Sequence, residues 1–391
     1  MPLVAHNDLP TFKRLSDEGQ EVLSVERARH QDIREMHIGL LNMMPDAALE
    51  ATERQFYRLV GAANPIVQFH MHPFTIEGLT RSGEAQAHID RYYESFDKIR
   101  DEGLDGLIIS GANVTHARLQ QEPFWQPLTE VFDWARQHVS STLCSCLATH
   151  ALIQYGYGIE RTPLGFKRWG VYPHRVVEPI HPLVATINTR FDVPHSRFNE
   201  IFRGDMERAG LRVLVESEEA GVHLAVSEDL MRVVFFQGHP EYDTISLFKE
   251  YKREVTRYFA GARDDFPPLP EHYFSLDLED CLNQYGQKVR QARREGLPFP
   301  ELPEEQVAIH LDNTWRDTAK AVFNNWLGLI YQVTDQDRRK PLMGHVNPHD
   351  PLGLVGKLSQ TDLGRAGRDE GVAADEPDFS CILVDRGPGF S

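Results

Sequence analysis

Cysteine is scarce in this chain: Cys144, Cys146, Cys281 and Cys381 are the four among 391 residues, too few for a disulfide framework. The Cys144-Ser145-Cys146 pair has no partners at zinc-finger spacing, and the set fits a reducing compartment. Long apolar runs are also missing. No stretch approaches the ~20 residues that span a bilayer, and Met1 to Asp8 carry no charged segment followed by an apolar core, so neither membrane insertion nor secretion is expected. Positive charge is outweighed, 41 Lys and Arg against 58 Asp and Glu for a formal charge of -17, which argues against a general nucleic-acid or anionic-membrane partner. Internal repeats and a Walker-type Gly-rich loop are absent too. What is left is a soluble, cytoplasmic protein with one large core or two modest ones.

The order of apolar segments predicts the fold class. Residues 1–35 are polar and mixed, with a helix expected over Glu21 to Arg34, and read as an N-terminal arm. A first buried strand, Met36 to Met44, stops at Pro45. An amphipathic helix follows over 47–60, then a strand over Ile66 to Met71 and a helix over Ile89 to Arg100. A third strand, Asp105 to Ser110, leads to a helix over 123–137, and a fourth approaches Cys144. This alternation marks an α/β, doubly wound, mostly parallel sheet with ligands at the carboxyl ends of its strands. Residues 160–230 carry short β-like runs, including Val184 to Ile187, that extend the sheet and supply loops. Helices over Ser246 to Tyr258, Leu276 to Arg294 and Thr314 to Gln332 form helical C-terminal additions. The main domain therefore covers 36–334, and 335–391, rich in Gly, Pro and Asp, is expected to be a disordered or loosely packed tail.

Ser141 to His150 reads as a buried strand turning sharply into a helix, a layout that exposes a side chain at the corner. Cys144 is a packing residue on this reading, and Cys146 is the exposed thiol. A second strand, Met231 to Phe236, delivers Gly238-His239-Pro240-Glu241, a base and a carboxylate just past its end. Thiol, base and orienting carboxylate are what cysteine catalysis requires, so Cys146, His239 and Glu241 form the candidate triad. Backbone N–H groups of Gly111, Ala112 and Leu147 are the candidate oxyanion donors. Eighteen histidines, with His70-Met71-His72 among them, raise the question of a metal. The two histidines are read as facing opposite sides of a strand, and no metal site is expected.

Further motifs point to a family. Leu40-Leu41-Asn42-Met43-Met44-Pro45, Asp105 to Ala112, the Cys146 elbow, Lys167-Arg168-Trp169-Gly170-Val171-Tyr172 and Pro194-His195-Ser196-Arg197 occur in order. Gly238 to Asp243, Asn313-Thr314-Trp315-Arg316 and Phe323-Asn324-Asn325-Trp326 follow. Together they resemble the homoserine O-acyltransferases of methionine biosynthesis, relatives of the class I glutamine amidotransferases, whose flavodoxin-like sheet the resemblance implies here. It further implies an acyl thioester on Cys146, His239 as general base with Glu241 behind it, and substrate binding by Lys167, Ser196 and Arg253. No cofactor is implied beyond succinyl-CoA or acetyl-CoA as co-substrate with L-homoserine, and a homodimer is expected.

Thr115 aligns with the position that selects the acyl donor, where a glutamate goes with acetyl-CoA and a glycine with succinyl-CoA; Ser196 also bears on specificity. Threonine removes the charge that would repel a succinyl carboxylate and can donate a hydrogen bond to it, which favours succinyl over acetyl transfer. The alternatives are acetyl transfer to homoserine or serine, a glutaminase built on the same triad, and a scaffold without catalysis.

Overall fold

The computed structural model describes residues 3–20, 22–29, 34–63 and 67–357. Its centre is a single eleven-stranded sheet. The strands are β1 (Leu3–Ala5), β2 (Val22–Ser24), β3 (Glu35–Leu41), β4 (Gln68–Phe74), β5 (Gly106–Ile109), β6 (Ser141–Ser145), β7 (Thr162–Val176), β8 (Arg190–Glu200), β9 (Arg212–Ser217), β10 (Gly221–Val226) and β11 (Val233–Phe236). Their order across the sheet is β2-β1-β4-β3-β5-β6-β11-β10-β9-β7-β8. From β2 to β11 every neighbour is parallel, and the four remaining strands are antiparallel.

The parallel strands are apolar on both faces because helices cover both. Ile38, Leu40, Ile108, Leu143 and Phe236 pack on one side against Phe56 of helix Leu49–Gly61 and Phe323 and Trp326 of helix Arg316–Val333. Leu41, Leu107, Ile109, Cys144 and Phe235 pack on the other against Leu128 and Phe132 of helix Trp125–His138 and Ala148 and Ala151 of helix Leu147–Tyr157. Truncating a fully buried aromatic such as Trp326 to alanine typically costs about 3–5 kcal/mol, so the last helix is integral to the domain.

Two of the expected family motifs serve this packing. Trp326 Nε1 donates to Ser141 Oγ (2.9 Å), and Asn325 Nδ2 donates to the carbonyls of Leu183 (3.1 Å) and Ala185 (2.8 Å). Trp315 Nε1 donates to the Tyr242 carbonyl (2.9 Å), and Asn313 Nδ2 to Thr244 Oγ1 (3.1 Å).

Several local expectations need correction. Within 21–34 only Val25–Arg29 is helical, and Val22–Ser24 pairs instead as an edge strand; residues 21 and 30–33 lie outside the described residues. Residues 1–35 thus contribute two parallel strands and the helix Pro10–Asp17, whose Phe12 and Leu15 enter the core. The helix expected over Ile89 to Arg100 is two, Gly83–Tyr92 and Phe96–Glu102, because Ser95 leaves helical geometry and caps the second by accepting from Lys98 N–H. Val184 to Ile187 is no strand; Pro182–Val184 forms a 3₁₀ turn. The long strands β7 and β8 hide behind prolines at 163, 173 and 194, each admitted at a terminus or near the sheet edge. Residues 335–357 are turns and bends from which Leu342, Val346, Leu352, Leu354 and Val355 pack on the core, and 358–391, with Cys381, lie outside the described residues.

The stretch Glu271 to Glu305 forms a satellite core. Leu278, Leu282, Tyr285 and Val289 of helix Leu276–Glu295 pack with Phe248 and Tyr251 of helix Ser246–Phe259 and with Trp169 and Val171 of β7. That core holds β7 and helix Ser246–Phe259 together, and both deliver polar residues to the site.

Candidate active site

Strand β6 ends at Ser145, and Cys146 occupies the corner with φ 50° and ψ −105°, a conformation that an L-residue adopts only under constraint. The constraint is visible: the Cys146 N–H donates to the Phe236 carbonyl (2.8 Å), and Thr149 Oγ1 bonds the carbonyls of Cys144 (2.9 Å) and Phe236 (2.8 Å). Cys146 is half-buried, at the amino end of helix Leu147–Tyr157. Cys144 points into the core, wholly buried, where burial pushes its thiol far above the usual range. Of the two thiols only Cys146 is placed at the corner and reachable for chemistry.

Strand β11 runs parallel beside β6, with Phe236 opposite Ser145, so the loop that follows it starts next to the elbow. His239 hydrogen-bonds the Cys146 side chain on one side and, through Nδ1, Glu241 Oε1 on the other (2.8 Å). Glu241 also accepts from Ser145 Oγ (3.3 Å). Burial disfavours a charged His239, but the Cys146 sulfur and the Glu241 carboxylate outweigh it and hold the imidazole well above the usual histidine range. Tyr242 stacks on the imidazole with ring centroids 4.3 Å apart. The His239 N–H donates to the Pro194 carbonyl (2.8 Å). Gly238 is required beside it, since a Cβ there would lie 2.7 Å from Val193 and 2.8 Å from His195.

The backbone of the β5 loop closes the other side. A Cβ on Gly111 would sit 3.7 Å from that of Cys146, which puts this loop beside the elbow, where Leu147 begins the helix. Ser110 Oγ fixes this loop, accepting from Met43 N–H (2.8 Å) and donating to the Gly111 carbonyl (3.0 Å).

The three expected substrate-binding residues come together on one carboxylate that the sequence reading missed. Glu250 accepts from Lys167 Nζ (2.7 Å), Ser196 Oγ (2.8 Å), Trp169 Nε1 (3.1 Å) and Arg253 Nη2 (3.4 Å). Burial would raise the Glu250 carboxyl, but Lys167 beside it brings it below the ordinary value. Burial in turn lowers Lys167, whose ammonium also lies 4.0 Å from the Trp169 ring centroid. The signal was available: Glu250 and Arg253 are three apart on one helix, and Lys167 and Trp169 two apart on one strand, so each pair shares a face.

Thr115 lies exposed in the β5 loop, where Glu122 collects its N–H (2.6 Å), its hydroxyl (3.3 Å) and the His116 N–H (2.6 Å). Its hydroxyl also lies 3.1 Å from His116 Nδ1. Arg161 reaches the same loop through the Ala117 carbonyl (3.4 Å) and keeps a buried Nε without a hydrogen-bond partner. Burial lowers this guanidinium, opposed by the nearby charges of Cys146 and Glu122.

A mostly parallel sheet with a strained cysteine elbow at the end of one strand and a histidine–glutamate pair just past the end of its neighbour defines the class, an α/β protein with a cysteine-centred site. Among solved structures, a glutamine amido transferase from Methylobacillus flagellatus is 14% identical over 81% of this chain and 99% of that one, with a TM-score of 0.43. The homoserine O-succinyltransferase family model matches residues 2–336. A homoserine O-succinyltransferase of Methylococcus capsulatus is 78% identical over 91% of this chain and 100% of its own length, and that of Methylobacter tundripaludum 68% over 90% and 100%. The chain belongs to the homoserine O-succinyltransferase family. Among the described residues no helix is long and apolar enough to cross a membrane.

Proposed function

We propose that the protein transfers the succinyl group of succinyl-CoA to the hydroxyl of L-homoserine through a thioester on Cys146, the first step of methionine biosynthesis, in the cytoplasm. The observation that carries this reading is the Cys146–His239–Glu241 relay on adjacent parallel strands, in a chain whose relatives bear that activity in their names.

The Cys146 sulfur attacks the thioester carbonyl of succinyl-CoA. Negative charge develops on the carbonyl oxygen, where the N–H groups of the Gly111-Ala112 loop and Leu147 receive it. The C–S bond to CoA breaks, and His239 hands its proton to the departing thiolate. Acylation then removes the sulfur charge that held His239 protonated, so the imidazole becomes a base at the moment one is needed. Its Nε2 takes the homoserine hydroxyl proton as that oxygen attacks the Cys146 thioester, and the ester leaves while the sulfur regains its charge. Glu241 holds Nδ1–H throughout and fixes the tautomer.

Lys167 and Arg253 supply positive charge for the amino acid's carboxylate, and Ser196 a hydroxyl, in the arrangement imposed by Glu250. Arg161, with its free Nε near the Cys146 sulfur and the Thr115 loop, suits the distal carboxylate of the succinyl group, which an acetyl group lacks. The test is CoA release with succinyl-CoA or acetyl-CoA against homoserine or serine, with Cys146→Ala as control. Homoserine-dependent release from succinyl-CoA, lost in the variant, is expected; release from acetyl-CoA alone, or glutamine hydrolysis in its place, would overturn the reading.

A further inference from the structure

The reading of His70 and His72 as facing opposite ways is wrong, because residues two apart on a strand share a face. In β4 both rings lie against His37 of β3, with centroids 4.8 Å and 5.0 Å from it, and His6, just past β1, lies 5.5 Å and 5.1 Å from the same two. Four imidazoles thus meet on one side of the sheet. Glu94 joins them: its N–H bonds the Pro73 carbonyl (2.9 Å), and its Oε1 lies 3.0 Å from His72 Nδ1.

We propose that His6, His72 and Glu94 form a binding site for a divalent transition-metal ion, with zinc the ion best suited to two imidazoles and a carboxylate. One ligand atom from each lies within 4.8 Å of the other two, so side-chain rotation alone can close them on an ion held at ~2.0–2.2 Å from each. The His6 Nδ1–H is directed to the Val4 carbonyl (3.1 Å), which leaves Nε2 as its donor atom. His72 offers Nδ1, and the ion takes the place of the proton that Nδ1 now shares with Glu94. Behind it, His72 Nε2 lies 2.8 Å from His37 Nδ1, and His37 Nε2 lies 3.7 Å from Glu35. A ligand imidazole backed by a second acceptor is the usual outer shell of a metal site.

The charges around the cluster fit a cation. Glu35 and Glu94 are its acids; Lys98 Nζ, 3.4 Å from Glu94 Oε2, is half-exposed and free to swing out as the ion enters. Arg338 lines a neighbouring cleft with Arg34, Glu35, His37 and Asp105. In the sheet order β3 and β5 separate β4 from the cysteine strand β6, so this site is distinct from the active site. Its effect is mechanical: β1 meets β4 at the single pair Leu3↔Phe69, and a metal bridging His6 to His72 fastens the N-terminal segment to the sheet.

Zinc titration of the full-length, tag-free, chelator-stripped protein by calorimetry tests this. One equivalent is expected, with a rise in melting temperature. Glu94→Gln and His6→Gln, both at half-buried positions, should each weaken binding about tenfold to a hundredfold, the loss typical of a disturbed metal shell, with circular dichroism confirming that each variant is folded. Cys146→Ala should bind zinc unchanged, and CoA release by His6→Gln should match the parent. Binding abolished in Cys146→Ala, binding unaffected by Glu94→Gln and His6→Gln, or no saturable binding at all would overturn the proposal.

Discussion

Lowering the pH from 7 to 5 should unfold the protein by undermining the ground beneath His239. His174 and His195 stack with centroids 5.1 Å apart, His223 packs edge-on to both, and His195 sits against Gly238. Burial pushes His174 down to about 4 and His195 and His223 well below the usual value; His150, behind the elbow, falls to about 3 and His181 to about 4. All five are neutral when folded, whereas in the unfolded chain each takes up a proton near pH 6.5. A depressed histidine pKa leaves stability whole above 6.5 and removes it as the pH falls. At pH 5 a group depressed this far costs about 2 kcal/mol, so a few such groups remove a sizeable share of the 5–15 kcal/mol that typically holds a domain.

His239 and His88 are raised, so their contribution builds as the pH falls from 7.5, is complete below 6.5, and offsets part of the loss. The buried Asp105 and Asp229 carboxyls, raised by burial, bind protons in the folded state and offset part of the loss near its acid end. Urea unfolding followed by circular dichroism from pH 7.5 to 5 should show stability falling by several kcal/mol, with CoA release lost in parallel. His174→Gln should flatten the slope by about one proton's worth, about 1.4 kcal/mol per pH unit. A midpoint that stays level between pH 7 and 5 would refute the reasoning.

Glu250→Gln removes the charge that Lys167, Ser196 and Arg253 share, so the KM for homoserine should rise about tenfold to a hundredfold while kcat changes little; a selective fall in kcat would place Glu250 in the chemistry instead. Arg161→Leu should raise the KM for succinyl-CoA by a similar factor, about 1.5–3 kcal/mol for a charged hydrogen bond, and leave any acetyl-CoA turnover alone; equal losses with both donors would dismiss it as the succinyl anchor. Gly238→Ala drives a methyl into Val193 and His195 and should cost about 1–3 kcal/mol in thermal or urea unfolding, with a larger loss of activity. An alanine variant as active as its parent would show that the loop can shift.

The central alternation of strands and helices was legible because apolar periodicity reports burial directly, and the residue types at Cys146, His239 and Glu241 named their own chemistry. Glu250 stayed hidden because a lone glutamate on an amphipathic helix looks like surface; only the fold turns it toward Lys167 and Ser196. β1 and β2 were missed because three-residue strands carry no period, and β7 because its prolines and charges suit an antiparallel margin rather than a buried core. The hold of Glu122 on the Thr115 loop was hidden for a similar reason, since Glu122 lies seven residues on and the local sequence does not reveal that the loop folds back.

Trp326 on Ser141 and Trp315 on the Tyr242 carbonyl tie the last helix region to the strand that leads to the cysteine and to the loop that carries the histidine. On the ribosome these ties are made late. The elbow and the histidine loop leave the exit tunnel well before the tryptophans that brace them, so a nascent or prematurely terminated chain holds a reactive thiol without its finished support. Competence to transfer an acyl group therefore arrives near the end of synthesis, once both tryptophan contacts are made.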